Sequence, residues 1–124
     1  MTRILVDTAV WIDHLHRTDS QLARLLEHGL VVTHPMVIGE IALGSIRNRS
    51  TVLSLLSGLP TIAEAKSQEI LDLVEARALY GRGLGLVDAS LLAAALIAGD
   101  VAIWTRDERL AAIADSLRIG WVDG

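Results

Sequence analysis

The chain reads as an α/β protein with a short parallel β-sheet flanked by α-helices on both faces. Short apolar, largely β-branched runs recur at residues 3–6, 30–33, 101–105 and 119–122, and segments of helical periodicity occupy the intervals between them. Strands that alternate with helices pair in parallel and need cover on each face. Four acids, Asp7, Glu40, Asp88 and Asp107, stand where these runs end or the helices begin, the edge at which open α/β sheets bind ligands.

Residues 3–6, Arg-Ile-Leu-Val, predict a first strand ending at Asp7, and Thr8 is suited to cap a helix with apolar positions Val10, Trp11 and Leu15. Asp19 and Ser20 offer a cap for a second helix through Leu22, Leu25 and Leu26, which Gly29 ends. Residues 30–33 predict the second strand, and Pro35 fits the first turn of the helix after it. Glu40 falls about one turn into that helix on the face of Met36 and of Leu43 or Gly44, so its carboxylate is expected to point where its apolar neighbours point. Beyond a polar break at 47–50, residues 51–59 predict a short helix and 64–80 an amphipathic one through Ala65, Ile70, Leu73, Val74 and Ala78. Gly81-Arg82-Gly83-Leu84-Gly85 interrupts the pattern and reads as a flexible hinge, since a phosphate loop would follow a strand and end in Lys-Ser/Thr. Residues 87–98 are apolar nearly all round and predict a central buried helix with Asp88 in its first turn and Gly99 at its close. Residues 101–105 predict another strand, Asp107 a cap for a helix over 108–117, and 119–122 a last short strand.

At 124 residues one domain, 1–124, is expected, and neither a repeat nor a linker divides it. Apolar residues make up 52% of the chain without a single Phe; an excess beyond one core marks a contact surface and predicts a homodimer or a tight protein partner. Trp11 is a candidate for such a contact, whereas Trp104, in mid-strand, belongs to the core. The absence of cysteine excludes disulfides and thiolate metal sites. The longest apolar run, 91–98, is far below the roughly 20 residues of a membrane span, so a cytoplasmic protein with no membrane contact is expected. A net charge of −4 argues against a general nucleic-acid coat but not against a nuclease. Arg47, Arg49, Arg82 and Arg106 adjoin the acids and carry the planar fork suited to phosphate oxygens. The histidines make a poor metal site: His14 and His16 diverge on a helix, and His28 and His34 stand alone.

An isolated carboxylate among core residues must find partners or a proton. At an effective dielectric of about 20 and a separation of about 5 Å, a carboxylate pair repels by roughly 3 kcal/mol. A divalent cation removes that cost, and an all-oxygen donor set favours Mg2+ or Mn2+ over zinc.

The arrangement resembles the PIN-domain nucleases, and most closely the VapC-like ribonuclease toxins of bacterial toxin-antitoxin systems. The resemblance rests on Ile4-Leu5-Val6-Asp7-Thr8, on Pro35 to Gly44 with Glu40, on Leu86-Val87-Asp88-Ala89-Ser90-Leu91 leading into an Ala-rich helix, and on Thr105-Arg106-Asp107. It implies a PIN-like fold and a Mg2+- or Mn2+-dependent endoribonuclease held in check by a cognate antitoxin, with RNA as substrate. The resemblance carries the family's acidic cluster onto Asp7, Glu40, Asp88 and Asp107. Asp7 and Asp88 become the principal metal ligands, Asp107 a supporting ligand or the holder of a second ion, and Glu40 a water-mediated ligand or a base. Thr8 and Thr105 carry hydroxyls suited either to support the acids or to contact phosphate, and together with Arg82 and Arg106 they are candidate substrate contacts. Ala9 departs from the Ser or Asn that the family often carries two positions after the first Asp, which removes a polar contact there but not the metal site.

Two other readings compete. A doubly wound phosphotransfer domain with Asp7 as nucleophile would need a second Asp where Ala9 stands, or a lysine near the site, and Lys66 is the only Lys. A non-catalytic PIN-like binding domain would have no use for four intact acids.

Overall fold

β1 (Arg3–Val6) lies at the centre of a parallel sheet, between β2 (Val31–Val32) and β3 (Val101–Trp104), in this computed structural model, which describes residues 1–122. Ile4 is opposite Val31 on one side and Ala102 on the other, and Leu5 is opposite Val32 and Ile103. Successive strand side chains point to opposite faces, yet Ile4, Leu5, Val6 and all of β3 are buried. Both faces are therefore covered, as a parallel sheet requires.

Among the described residues seven helices supply that cover: α1 (Thr8–His16), α2 (Ser20–Glu27), α3 (Pro35–Leu43), α4 (Arg49–Ser57), α5 (Ser67–Ala76), α6 (Leu86–Ala98) and α7 (Glu108–Ser116). The central helix is α6, whose residues from Ala89 to Ala95 are buried and which packs on β3 and α5. Leu91 and Leu92 are fully enclosed there. None of the described helices is long and apolar enough to cross a membrane.

The α5 helix is shorter than the predicted 64–80, and its end shows why. The Leu79 N–H closes back onto Val74 O at 2.9 Å while Ala78 takes φ +51°. This left-handed closure turns Leu79 into the core. Gly29 and Arg118 end α2 and α7 with the same turn, with Leu30 N–H on Leu25 O and Ile119 N–H on Ala114 O. α4 likewise starts earlier than the predicted 51–59 and has Asn48 before it in a left-handed conformation.

The predicted fourth strand, 119–122, is reduced to one rung. Ile103 exchanges both backbone hydrogen bonds with Ile119 and Trp121, at 2.7 and 2.9 Å, and the parallel bridge goes no further than Gly120. At the opposite edge Thr33 bridges Thr61 in the same way. Trp104 is buried as expected, packed at 4.5 Å on the ring of Trp121. Trp11, read as a dimer or partner contact, is 4% exposed and belongs to the core, reaching the surface only in the lining of an apolar groove. Glu40 also departs from expectation: α3 buries Val37 and Ile41, while Met36, Glu40 and Leu43 face solvent. The face chosen by spacing is thus the outer one, because α3 meets α1 and α4 through its other side.

Candidate active site

The carboxyl end of β1 places Asp7. Its N–H is tied to Trp104 O at 2.9 Å, so the chain leaves β1 still paired with β3. Asp7, not Thr8, is the N-cap of α1: Oδ1 accepts the Thr8 N–H at 2.8 Å. Thr8 is thereby the first helical residue, and its hydroxyl donates to Glu40 Oε1 at 2.6 Å, bringing α3 to the start of α1. On the other side the Thr105 hydroxyl donates to Asp7 Oδ2 at 2.7 Å and accepts the Asp107 N–H at 3.1 Å. Asp107 caps α7 as the sequence predicts, with Oδ1 accepting Arg109 and Leu110 N–H at 2.9 and 3.1 Å. Glu40, Thr8, Asp7, Thr105 and Asp107 thus form one hydrogen-bonded arc along the edge of the sheet, with two threonine hydroxyls as its links.

Asp88 completes the group from the first turn of α6, where Oδ2 accepts the Gly85 N–H at 3.4 Å. Its pKa is raised above the ordinary 3.8, first by burial and then by the negative fields of Asp7, Asp107 and Glu40, against the Gly85 hydrogen bond that lowers it. Asp88 thus lies within range of the charges of the other three acids, which come from segments as far apart in sequence as Asp7 and Asp107.

The donor chemistry fits a hard divalent cation: four carboxylates, with no cysteine in the chain. Among the described residues no three acidic or histidine side chains already stand as a ligand set. Each of the four carboxylates instead accepts at least one protein hydrogen bond. Forming a ligand shell takes side-chain rotation, since the strand end and helix starts are already in place.

The expected substrate contacts divide. Thr8 and Thr105 spend their hydroxyl protons on carboxylates and act on the acids rather than outward. Arg106 is committed as well: Nε lies 2.6 Å from Asp13 Oδ2 and a terminal nitrogen 3.3 Å from Asp19 Oδ2, with the guanidinium 5.8 Å over the Trp104 ring. It ties α1 and α2 to the end of β3, and a phosphate contact would compete with those pairs. Arg82 is exposed at the tip of its glycine loop. The loop, read as a hinge, lies against α7: Gly83 has φ +79°, and a Cβ there would sit 2.7 Å from an Arg109 guanidinium nitrogen. Sequence reasoning missed the Asp13 and Asp19 partners of Arg106, because nothing in the spacing of α1 and α2 signals a contact 87 residues away.

Residues 4–116 match the profile of the PIN domain. The chain belongs to the PIN-domain family. It is 50% identical over 114 residues to Ribonuclease VapC32 of two strains of Mycobacterium tuberculosis, CDC 1551 / Oshkosh and ATCC 25618 / H37Rv. In each case the match covers 91% of this chain and 92% of the relative. In this PIN domain the matched span includes all four acids and both bridging threonines.

The arc makes Thr105 a sensitive position. Thr105→Val keeps the volume and removes both the donor to Asp7 and the acceptor for the Asp107 N–H. Loss of such an outer partner typically costs 10- to 100-fold in metal affinity or activity. A metal titration followed by thermal unfolding should show a weakened cation response in Thr105→Val, with little change in the metal-free melting temperature.

Proposed function

We propose that this chain is a Mg2+- or Mn2+-dependent endoribonuclease that acts as the toxin of a toxin-antitoxin pair. The observation that carries the reading is the convergence of Asp7, Glu40, Asp88 and Asp107 at the carboxyl edge of the sheet. Its support is the 50% identity to a protein named as a ribonuclease. Asp7, Asp88 and Asp107 would hold the cation, which when bound would supply a water of lowered pKa and stabilise charge at the scissile phosphate. The chain's own residues set the geometry for that chemistry. Thr105 holds Oδ2 of Asp7 and the backbone of Asp107 in fixed relation, and the start of α7 anchors Oδ1 of Asp107. Thr8 occupies Oε1 of Glu40, which leaves Oε2 as the atom that takes the proton from the attacking water. Arg82, exposed on the loop that leads into α6 and Asp88, is the substrate-phosphate contact.

The partners follow the same reading. A cognate antitoxin covers the apolar groove of about 310 Å3 lined by Trp11, Leu15, Leu26, Val52, Leu55 and Leu59, where an amphipathic helix would bury its apolar face. Exposed Tyr80 and Ile97 are surplus to the core and support a homodimer. The whole of residues 1–124 acts as one domain, in the cytoplasm. Expression of the chain alone in bacteria is expected to arrest growth, and Asp7→Asn to restore it. Equal growth with both proteins would contradict the toxin reading.

A further inference from the structure

A second pocket opens one helical turn from the acids, and its chemistry differs from theirs. It has a volume of about 450 Å3 and lies between the start of α3, the segment leading into α5, and the start of α6. Its apolar walls include Met36, Leu71 and Leu86, which are 44%, 57% and 74% exposed although large and hydrophobic. Met36 precedes Glu40 by four residues in α3, and Val87, also in the wall, is the neighbour of Asp88.

Of the four polar residues in this lining, His34, Glu64, Ser67 and Ser90, the first two carry the recognition chemistry. His34 is 1% exposed, and its Nδ1 accepts the Met36 N–H at 3.0 Å as the cap of α3. Burial lowers its pKa, so the ring is neutral and the proton must sit on Nε2. That Nε2 is a buried donor with no protein acceptor. Such a group is costly unless something in the pocket satisfies it. Glu64 also lines the pocket and is close enough for its charge to act on His34, yet it is exposed. The pocket therefore offers apolar walls, one buried N–H donor and one carboxylate acceptor, beside the hydroxyls of Ser67 and of Ser90, the latter already donating to Leu86 O at 2.8 Å.

We infer that this pocket binds a guanine base of the RNA, with Glu64 accepting from the N1–H and N2–H2 edge and His34 Nε2 donating to a ring-side acceptor such as O6. Guanine is the RNA base that carries two adjacent donors beside a carbonyl. Adenine and cytosine present an acceptor at the ring nitrogen where Glu64 needs a proton, and uracil has one donor between two carbonyls. Single-stranded RNA is read in this way, by bases splayed from the strand into apolar slots and hydrogen-bonded on their edges. The inference rests on the ribonuclease reading and adds the base that the enzyme selects beside the cleaved bond.

The test uses guanosine 5′-monophosphate against the adenosine, cytidine and uridine monophosphates, by titration calorimetry, with the imidazole resonances of His34 followed by NMR. The wild-type chain is expected to prefer the guanine nucleotide by at least about tenfold, as a paired donor–acceptor edge does, and the His34 Nε2–H resonance should shift on binding. Glu64→Gln, at an exposed position, should lose the preference without loss of stability. His34→Asn, whose side-chain oxygen can still cap α3, should weaken guanine binding. Equal affinity for all four nucleotides, or an unchanged preference in Glu64→Gln, overturns the assignment, as does a pocket that takes only a protein side chain and binds no nucleotide. A cleavage assay on single-stranded RNAs that differ in one guanine separates the two levels. Metal-dependent cutting with no guanine preference overturns the pocket and spares the ribonuclease. Guanine binding with no cutting supports the pocket and overturns the ribonuclease.

Discussion

Asp88→Asn is expected to raise the melting temperature of the metal-free protein while abolishing both cation-induced stabilisation and RNA cleavage. Burial and three neighbouring acids hold the pKa of Asp88 above 3.8 in the folded chain, so folding favours its neutral form. That contribution is complete below the unfolded pKa and is lost as pH rises through the folded one. Near pH 7 the ionised group opposes folding, and a neutral amide of the same shape removes the opposition. The gain should be on the order of a few degrees, greatest at neutral pH and vanishing toward pH values below the carboxylate range. Melting curves of both proteins across pH check the sign. A variant that melts lower than wild type at every pH would mean that Asp88 makes a stabilising contact instead. The combination of higher stability and lost activity is the trade expected of like charges held together for function.

Leu92→Ala should have the largest effect on stability. Leu92 is fully enclosed in α6, the helix that presents Asp88 to the site. Removing its side chain leaves a cavity that the sheet below cannot fill, at a cost of about 2–5 kcal/mol. For a domain of this size that is a fall in melting temperature of roughly 10–20 °C. Leu43→Ala is the matched control: Leu43 is 90% exposed in α3, and its loss should stay within about 0.5 kcal/mol. Denaturant unfolding of the two variants compares buried with exposed leucine directly. Similar values for both would contradict the burial described for α6.

Much of this organisation was legible from residue patterns because the relevant signals are local. The short β-branched runs mark β1, β2 and β3, and Pro35 marks the start of α3. Asp107 reads as a cap because a cap is set by the next three residues. What escaped depends on contacts across the chain. Glu40 has apolar neighbours on either side, so periodicity allowed two faces, and only the packing of α3 on α1 and α4 chooses the one that leaves Glu40 beside Thr8. Trp11 reads as a partner contact because the apolar positions of α1 do not by themselves show which side packs on the core. The α5 helix was drawn too long since a left-handed Ala78, unlike a glycine, gives no warning of the turn. His34 reads as an isolated histidine because histidine is an unusual cap, and the pocket around its unpaired Nε2 exists only where α3, α5 and α6 meet. Local patterns set the four acids at strand ends and helix starts and mark Thr8 and Thr105 as hydroxyls beside them, but which carboxylate each hydroxyl meets is not legible, for a hydroxyl has no preferred spacing from a carboxylate in a distant segment.

The most direct measurement is cleavage of RNA by the purified chain with Mg2+ or Mn2+, with a chelator in place of metal, and with Asp7→Asn under the same conditions. Asp7 is the hub, bonded to both Thr8 and Thr105, and should hold the ion. Cutting by the wild type only when metal is present, reduced at least about 100-fold in Asp7→Asn, is the predicted result. Cutting that persists in the chelator, or that Asp7→Asn retains in full, would contradict a metal-dependent site built on these acids.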